Sequence, residues 1–156
     1  MRRTCEGRRP VSSAAMLLAF LAATTRARAV VEIGTGSGET GLALLRGMAP
    51  DGTLTTIDVD PELQRAARRT FLAAGYSPGR VRLINGVAPE VLPRLTDGGY
   101  DLVVAHAADE DYLAEAVRLL RPGGVVALAG GAIEQDDEQW VSTVLQDGTL
   151  LATRAR

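Results

Sequence analysis

The residues with the most chemical potential lie in one short stretch. Glu32 stands two positions before Gly34, and Gly34, Gly36 and Gly38 alternate with Thr35 and Ser37 before a helical pattern begins near Glu39. Glycines at this spacing permit a tight turn and let a ligand approach the backbone closely. A β-branched run ending in such a turn, followed by a helix N-terminus, makes a nucleotide-type pocket at the carboxyl end of a strand. A second acid, Asp58, closes the next apolar run, where a carboxylate can hold ribose hydroxyls. Glu32 would repel a pyrophosphate and attract a cationic amino or sulfonium group. The stretch therefore suits an adenosine-type ligand with positive charge and no phosphates. The spacing also differs from the G-x-G-x-x-G of most dinucleotide folds.

Short β-rich runs alternate with helical stretches and would position these residues. Strands are expected at 29–33, 53–57, 81–84, 101–105 and 125–129. Helices are expected at 39–48, 61–74, 89–95 and 110–120, with Pro61 in a first turn and Gly75 just past a helix end. Residues 130–139 read as a loop or short helical turn. Residues 140–146 and 149–154 around Asp147-Gly148 read as a β-hairpin. The fold class is thus α/β, a Rossmann-like, doubly wound, mainly parallel sheet with a C-terminal antiparallel hairpin. Residues 1–10 read as a basic tail and 11–156 as a single domain.

Composition excludes several functions. All 17 basic residues are Arg, so a P-loop Lys, a Schiff-base Lys and a Lys general base are absent from these 156 residues. The net charge of −2 gives no reason to expect nucleic acid as a partner. Cys5 is the single cysteine, which excludes an internal disulfide and fits a reducing, cytoplasmic setting. Arginines at 2, 3, 8 and 9, an apolar run at 14–23 and Ala27-Arg28-Ala29 outline a secretory signal. A first helix on the sheet, capped by Ser12 or Ser13, is the reading adopted, because cleavage after Ala29 would leave a core strand as the N-terminus. The run is too short to span a membrane.

Glu32–Gly38, Thr55-Thr56-Ile57-Asp58-Val59-Asp60-Pro61-Glu62, Val81–Gly86, Tyr100–Val104 and Leu120-Arg121-Pro122-Gly123-Gly124 occur in order. Together they resemble the motifs of class I S-adenosylmethionine-dependent methyltransferases. More narrowly, they resemble the catechol/caffeoyl-CoA-type O-methyltransferase family in a short, actinobacterial-like form, over residues 11–156. The resemblance implies S-adenosylmethionine as cofactor. Glu32 would orient its methionine end, with Gly34, Thr35, Gly36 and Gly38 against it and Thr40 on the carboxylate. Asp58 would hold the ribose, Val59 would face the adenine, and Gly86, Val87 and Ala88 would run along the adenine edge. The implied reaction is methyl transfer to a small hydroxyl-bearing, phenol- or catechol-like acceptor. No membrane partner is expected, and a homodimer stays open as an assembly.

The departures concern the other half of the site. The family holds a divalent metal with an Asp after the fourth strand and an Asp-Asn pair after the fifth. Those positions fall on His106, Ala129 and Gly130, and the family's frequent basic residue falls on Asp109. Ala and Gly side chains offer a hard cation no oxygen, so no divalent metal is expected. His106, which lies at the cofactor-facing strand end, has three open readings. It is a general base for the acceptor hydroxyl, a metal ligand with Asp109 or Glu110, or a structural or cofactor-lining histidine. Two functions follow: a metal-independent O-methyltransferase, or a degenerate family member that binds the cofactor and acts as a binding or partner protein; a third, an NAD-dependent reductase, is disfavoured by the glycine spacing, by Glu32 and by the lack of a Tyr-x-x-x-Lys pair. Only ten residues precede Val11 and about ten join Ala129 to the hairpin. Both segments are shorter than in the family, which would open the acceptor side. Trp140 and Tyr112 are the large rings expected near it.

Overall fold

The computed structural model describes residues 12–107, 109–131, 133 and 137–155. The basic tail at 1–10 lies outside the described residues. Helices α1 (Ser13–Thr24), α2 (Glu39–Gly47), α3 (Pro61–Ala73), α4 (Ala88–Val91) and α5 (Glu110–Leu119) accompany seven strands. The strands are β1 (Ala29–Ile33), β2 (Thr53–Asp58), β3 (Val81–Asn85), β4 (Tyr100–Ala105), β5 (Leu120–Ala129), β6 (Trp140–Val144) and β7 (Thr149–Arg154). They form one sheet in the order β3-β2-β1-β4-β5-β7-β6. β1 to β5 run parallel, and β7 joins β5 antiparallel and carries β6 on its far side.

Strand periodicity divides the core in two. Val31, Ile33, Val103 and Val126 face the side covered by α4 and α5, where Leu92, Ala116 and Leu119 are buried. Val30, Leu54, Leu102, Val104 and Ala127 face α1, α2 and α3 and meet Leu18, Leu44, Leu45 and Phe71. Both faces are covered, which is why β1 and β4 read as near-continuous apolar runs. α1 begins at Ser12, whose side chain accepts the Ala15 N–H at 3.2 Å. It seats against α2 so tightly that a Cβ on Gly47 would come within 2.1 Å of the Ala19 carbonyl oxygen. The apolar run at 14–23 is thus a core helix in this fold, with Ala15 and Ala22 fully buried.

Boundaries differ from expectation at one place that matters. Arg121-Pro122-Gly123-Gly124 was expected to separate a helix ending at Leu120 from a strand starting at Val125. Instead Leu120 pairs with Tyr100, Val125 pairs with Leu102, and the four residues bulge opposite Asp101. Asp101 explains the arrangement. It is 5% exposed, and its Oδ2 accepts the backbone N–H groups of Arg28 at 2.8 Å and Ala29 at 3.0 Å. The Arg121 guanidinium pairs with Oδ1. One buried carboxylate therefore ties the start of β1 to β4 and to the bulge. Asp101→Ala strands those donors and is expected to cost about 3 kcal/mol, the order found when one partner of a buried pair is removed. A urea titration should show the midpoint falling, with Asp101→Asn falling less than half as far. Equal midpoints for wild type and Ala would remove Asp101 from this role.

The other boundaries move by one or two residues. α2, α3 and α5 each stop one residue early, β3 runs on to Asn85, and β6 ends at Val144. Residues 78–80 and 92–94 form short 3-10 turns. No helix or strand occupies the described residues between Ala129 and Trp140. No helix among the described residues is long and apolar enough to cross a membrane.

Candidate functional site

The sheet order reverses direction between β1 and β4, and a parallel sheet opens a crevice above its carboxyl ends at such a point. The glycine turn leaves β1 there, Asp58 ends β2, and His106 follows β4. Register sets which side chains meet. Glu32 pairs with Thr56 on β2 and with Val104 on β4. Side chains alternate between faces, so Glu32, Thr56 and His106 (two residues after Val104) all fall on the α2 face.

There they form one network. Glu32 is fully buried. Its Oε1 accepts from the Thr56 hydroxyl at 2.8 Å, and its Oε2 accepts from the Thr40 hydroxyl at 2.6 Å. His106 Nε2 lies 3.0 Å from the same Oε2 and 3.2 Å from Thr40 Oγ1. The Thr35 and Thr56 hydroxyls are 2.8 Å apart. A hydroxyl has one proton, and Thr56 gives its own to Glu32, so Thr35 donates to Thr56. Among the described residues, His106 is the only basic side chain within ion-pair distance of Glu32. An ionised carboxylate only accepts, so Nε2 carries the hydrogen that points at Glu32. In the neutral ring this leaves Nδ1 with a free lone pair. The Cδ2 edge of the ring lies toward Gly34, which puts Nδ1 on the opposite edge.

Gly34, Thr35, Gly36, Ser37, Glu39, Thr40, Asp58 and His106 line an open depression of about 650 Å3, counting its mouth. The Gly36 N–H donates to Asp58 Oδ2 at 3.0 Å, and the Asp60 N–H donates to Oδ1 at 3.0 Å. Asp58 thus holds the turn closed and keeps lone pairs for a diol. Beyond it a second depression of about 380 Å3 is lined by Ile33, Gly34, Ile57, Asp58, Val59, Gly86, Ala88 and Tyr112. Val59 is 61% exposed, an apolar side chain free to face a planar base. The two depressions share Gly34 and Asp58, so they form one elongated crevice, with Asp58 at the junction and Glu39 toward the glycine-turn end.

Most of the expected residues converge here, with three differences of role. Gly38 caps α2 with φ +94°, and a Cβ on it would meet Ala67 at 3.2 Å, so it serves the seating of α2 on α3. Thr40 already donates its one proton to Glu32, so its hydroxyl can offer a ligand only an acceptor. Val87 precedes α4 and is exposed, but Gly86 and Ala88 are the residues that line the crevice. Sequence reading missed Thr56, although it stands two residues before Asp58 as Glu32 stands two before Gly34. It placed Tyr112 on the acceptor side, whereas the ring lines the opposite end of the crevice. Burial, and then the Asp109 carboxylate, push the Tyr112 phenol above its ordinary range, so it remains a neutral hydroxyl. No sequence signal marks Tyr112, because its place depends on how α5 lies on the sheet.

The residues present do not fit the family's divalent metal. His106 directs Nε2 at Glu32, Ala129 ends β5, and Gly130 follows it. These three positions present no carboxylate, and a hard cation wants several oxygen ligands. The pairing of His106 with Asp109 does not assemble either. Helix α5 begins only at Glu110, and Asp109 is its N-cap, with Oδ1 accepting the Asp111 N–H at 3.0 Å. Among the described residues no three His, Cys, Asp or Glu side chains converge on one point.

A doubly wound sheet with this strand order, a glycine turn flanked by Glu32 and Asp58, and an antiparallel last strand inserted beside β5 define a class I methyltransferase fold. The O-methyltransferase family model matches residues 8–152, and the chain belongs to that family. It is 52% identical over 147 residues to a Mycolicibacterium vanbaalenii protein named by inference as an O-methyltransferase, covering 87% of this chain and 64% of that one. A relative from Mycobacterium sp. (strain JLS), with the same name, is 49% identical over 151 residues, covering 90% and 68%. The chain thus spans about two thirds of the length of the curated relatives it matches. Among solved structures, a Corynebacterium glutamicum protein superposes with a TM-score of 0.83 at 29% identity, covering 96% of this chain and 83% of that chain. The O-methyltransferase TomG from Streptomyces achromogenes, involved in tomaymycin synthesis and solved in complex with SAM, superposes with a TM-score of 0.75 at 27% identity, covering 94% and 82%.

Proposed function

We propose that this chain is an S-adenosylmethionine-dependent O-methyltransferase acting on a small hydroxyl-bearing acceptor without a divalent metal. The observation that carries the reading is the contact of His106 Nε2 with the buried Glu32 carboxylate, 3.0 Å apart at the mouth of the glycine turn. The donor set suits the cofactor. Glu32 offers an acid near the methionine end, where an ammonium must be neutralised. Asp58 offers acceptors to the ribose hydroxyls, and Val59 and Ala88 offer apolar contact to the adenine. The start of α2 lies at the same depression through Glu39 and Thr40, and a helix N-terminus favours an anion such as a carboxylate. Thr35 supports Glu32 from below through Thr56.

When bound, the cofactor supplies a methyl group already activated on a sulfonium, which passes to the acceptor oxygen as that oxygen loses its proton and the sulfur keeps the bonding pair. The chain's own part is positioning and proton removal. Positioning can supply much of the rate, because the donor needs no further activation. Glu32 fixes the tautomer and orientation of His106, and Nδ1 is left to take the acceptor proton. In the family pattern a metal would ease the same proton loss by lowering the pKa of the acceptor hydroxyl bound to it. Bound to Nε2, Glu32 also stabilises the imidazolium that forms. A positioned base of this kind contributes roughly 100-fold or more.

Labelled-methyl transfer to a panel of phenols and catechols, with and without EDTA, tests the reading. Activity should persist in EDTA, and His106→Ala should lower it about 100-fold. S-adenosylhomocysteine affinity should change only a few-fold in that variant. Activity lost in EDTA sinks the metal-free claim, and full activity in His106→Ala removes the base. Cofactor binding with no transfer to any acceptor would favour the second reading, a family member that binds the cofactor and acts through a partner. The missing metal oxygens are what keep that reading in view.

A further inference from the structure

Charge is spread unevenly along the chain, and the sheet order turns this into two unlike edges. Residues 63–89 hold five Arg and no Asp or Glu, whereas residues 134–147 hold five Asp or Glu and no Arg. The first segment contains β3 and most of α3, and the second contains β6. β3 and β6 are the outermost strands of the seven, so the strand of the basic segment and the strand of the acidic segment lie at opposite ends of one sheet. Arg68, Arg69 and Arg82 are exposed and form no ion pair among the described residues. Asp137 and Glu138 lead into β6, and Asp147 sits in the turn behind it.

Both edges are open to a further strand. On β6 the Leu145 N–H donates to the Thr149 carbonyl at 2.9 Å, and the Gln139 carbonyl accepts the Ala155 N–H at 2.8 Å. Alternation along an antiparallel strand then turns the odd-numbered backbone groups toward β7 and those of Trp140, Ser142 and Val144 outward. On β3 the Gly86 N–H donates to the Asp58 carbonyl at 3.0 Å. Even-numbered residues there face β2, and Leu83 and Asn85 turn their backbone groups outward. β6 itself has no charged residue, Pro or bulge to keep a neighbouring strand away.

We propose that β6 of one copy adds in parallel to β3 of a second copy, so that the chain associates head to tail through its acidic and basic edges. Charge selects the pairing. β3 against β3 sets arginines against arginines, and β6 against β6 sets carboxylates against carboxylates, so only unlike edges attract. Charge also sets the direction. In a parallel pair the start of β6, after Asp137 and Glu138, comes level with the start of β3, where Arg80 and Arg82 stand. Face parity agrees with both. In a parallel ladder a residue that bonds toward its neighbour lies opposite one that does not. Trp140, Ser142 and Val144 therefore fall opposite the even-numbered residues of β3. Trp140 and Ile84 pack on the same core, the one under α4 and α5, so the two sheets continue with their faces level. On the other face Val141 is 63% exposed, and it comes to lie beside a shallow apolar hollow of Leu72, Tyr76 and Leu83 that Arg68 rims. Because the two edges differ, no twofold axis closes the contact, and growth continues past two copies.

Sedimentation velocity of the full chain tests the proposal. Expected is association beyond the dimer that weakens at least about tenfold as NaCl rises from about 50 to about 500 mM, because salt screens exposed charges. Arg68→Glu with Arg82→Glu reverses the charges flanking β3, and Asp137→Arg with Glu138→Arg reverses those leading into β6. Each double variant alone should associate at least about tenfold more weakly than wild type, and an equimolar mixture of the two should associate again. Ser142→Pro removes an outward N–H and no bond to β7, which is where an edge strand tolerates Pro. It should be monomeric with the melting temperature of wild type, and it gives the answer if a charge reversal fails to fold. The proposal is overturned by a wild-type chain that stays monomeric at about 50 mM NaCl. It is equally overturned by a folded variant that associates as wild type does, or by a mixture that associates no better than its components. An assembly that stops at two copies and tightens with salt also overturns it, because that behaviour marks a contact between like edges.

Discussion

Glu32→Leu is expected to lower the melting temperature by roughly 10 °C and to abolish measurable S-adenosylhomocysteine binding. The carboxylate accepts from Thr56, Thr40 and His106 with no solvent exposure of its own. Leucine leaves those donors facing an apolar side chain, at about 1 kcal/mol for each orphaned group. In a domain of this length each kcal/mol moves the midpoint by about 2–4 °C. Cofactor binding falls for a separate reason: the acid near the methionine end is gone. Glu32→Gln separates the two effects. Its amide oxygen still accepts, so the midpoint should move by only about 3 °C, but without the charge affinity should fall at least about tenfold. A Glu32→Gln protein that binds the cofactor as tightly as wild type would show that the Glu32 charge serves the fold alone.

Asp58→Ala should weaken the cofactor about 100-fold while leaving the fold intact. Hydrogen bonds to a charged acceptor contribute about 1.5–3 kcal/mol each, and a ribose offers two hydroxyls to this carboxylate. Removing the acceptor also frees the Gly36 N–H, so the glycine turn loses the bond that holds it against β2. Asp58 is only half buried, so water can satisfy the freed groups and the melting temperature should change little. Asp58→Asn keeps one oxygen and should lose about tenfold. Calorimetry with S-adenosylmethionine and S-adenosylhomocysteine reads both variants. Affinities within threefold of wild type in Asp58→Ala would take Asp58 out of the ribose site.

The sequence already carried the glycine-turn half of this site, because the pattern there is local. Glu32 and the glycines occupy seven consecutive residues, and a strand, a turn and a helix start suffice to bring them together. Asp58 follows from the next strand end by the same logic. The half around His106 is different. Glu32 and His106 are 74 residues apart, and they touch only because β4 lies beside β1 in a register that pairs Ile33 with Ala105. The chain order left the three readings of His106 open. The register gave it an acid partner through Nε2, and the cap at Asp109 kept that residue for α5. The bulge at 121–124 shows the same limit: a Pro-Gly-Gly run reads as a turn until Asp101 and Arg121 are seen to meet across it.

By itself, then, the sequence determined the α/β alternation, the glycine turn and the acids that flank it. These depend on period-two and helical patterns and on backbone freedom within a few residues. The tertiary structure decided which partners those acids have, that Thr56 donates to Glu32, that Tyr112 lines the crevice beyond Asp58, and that His106 meets Glu32. Each of these depends on strand register and on how closely a helix approaches the sheet. Such distances are set by side chains far apart in the chain, and no local pattern records them.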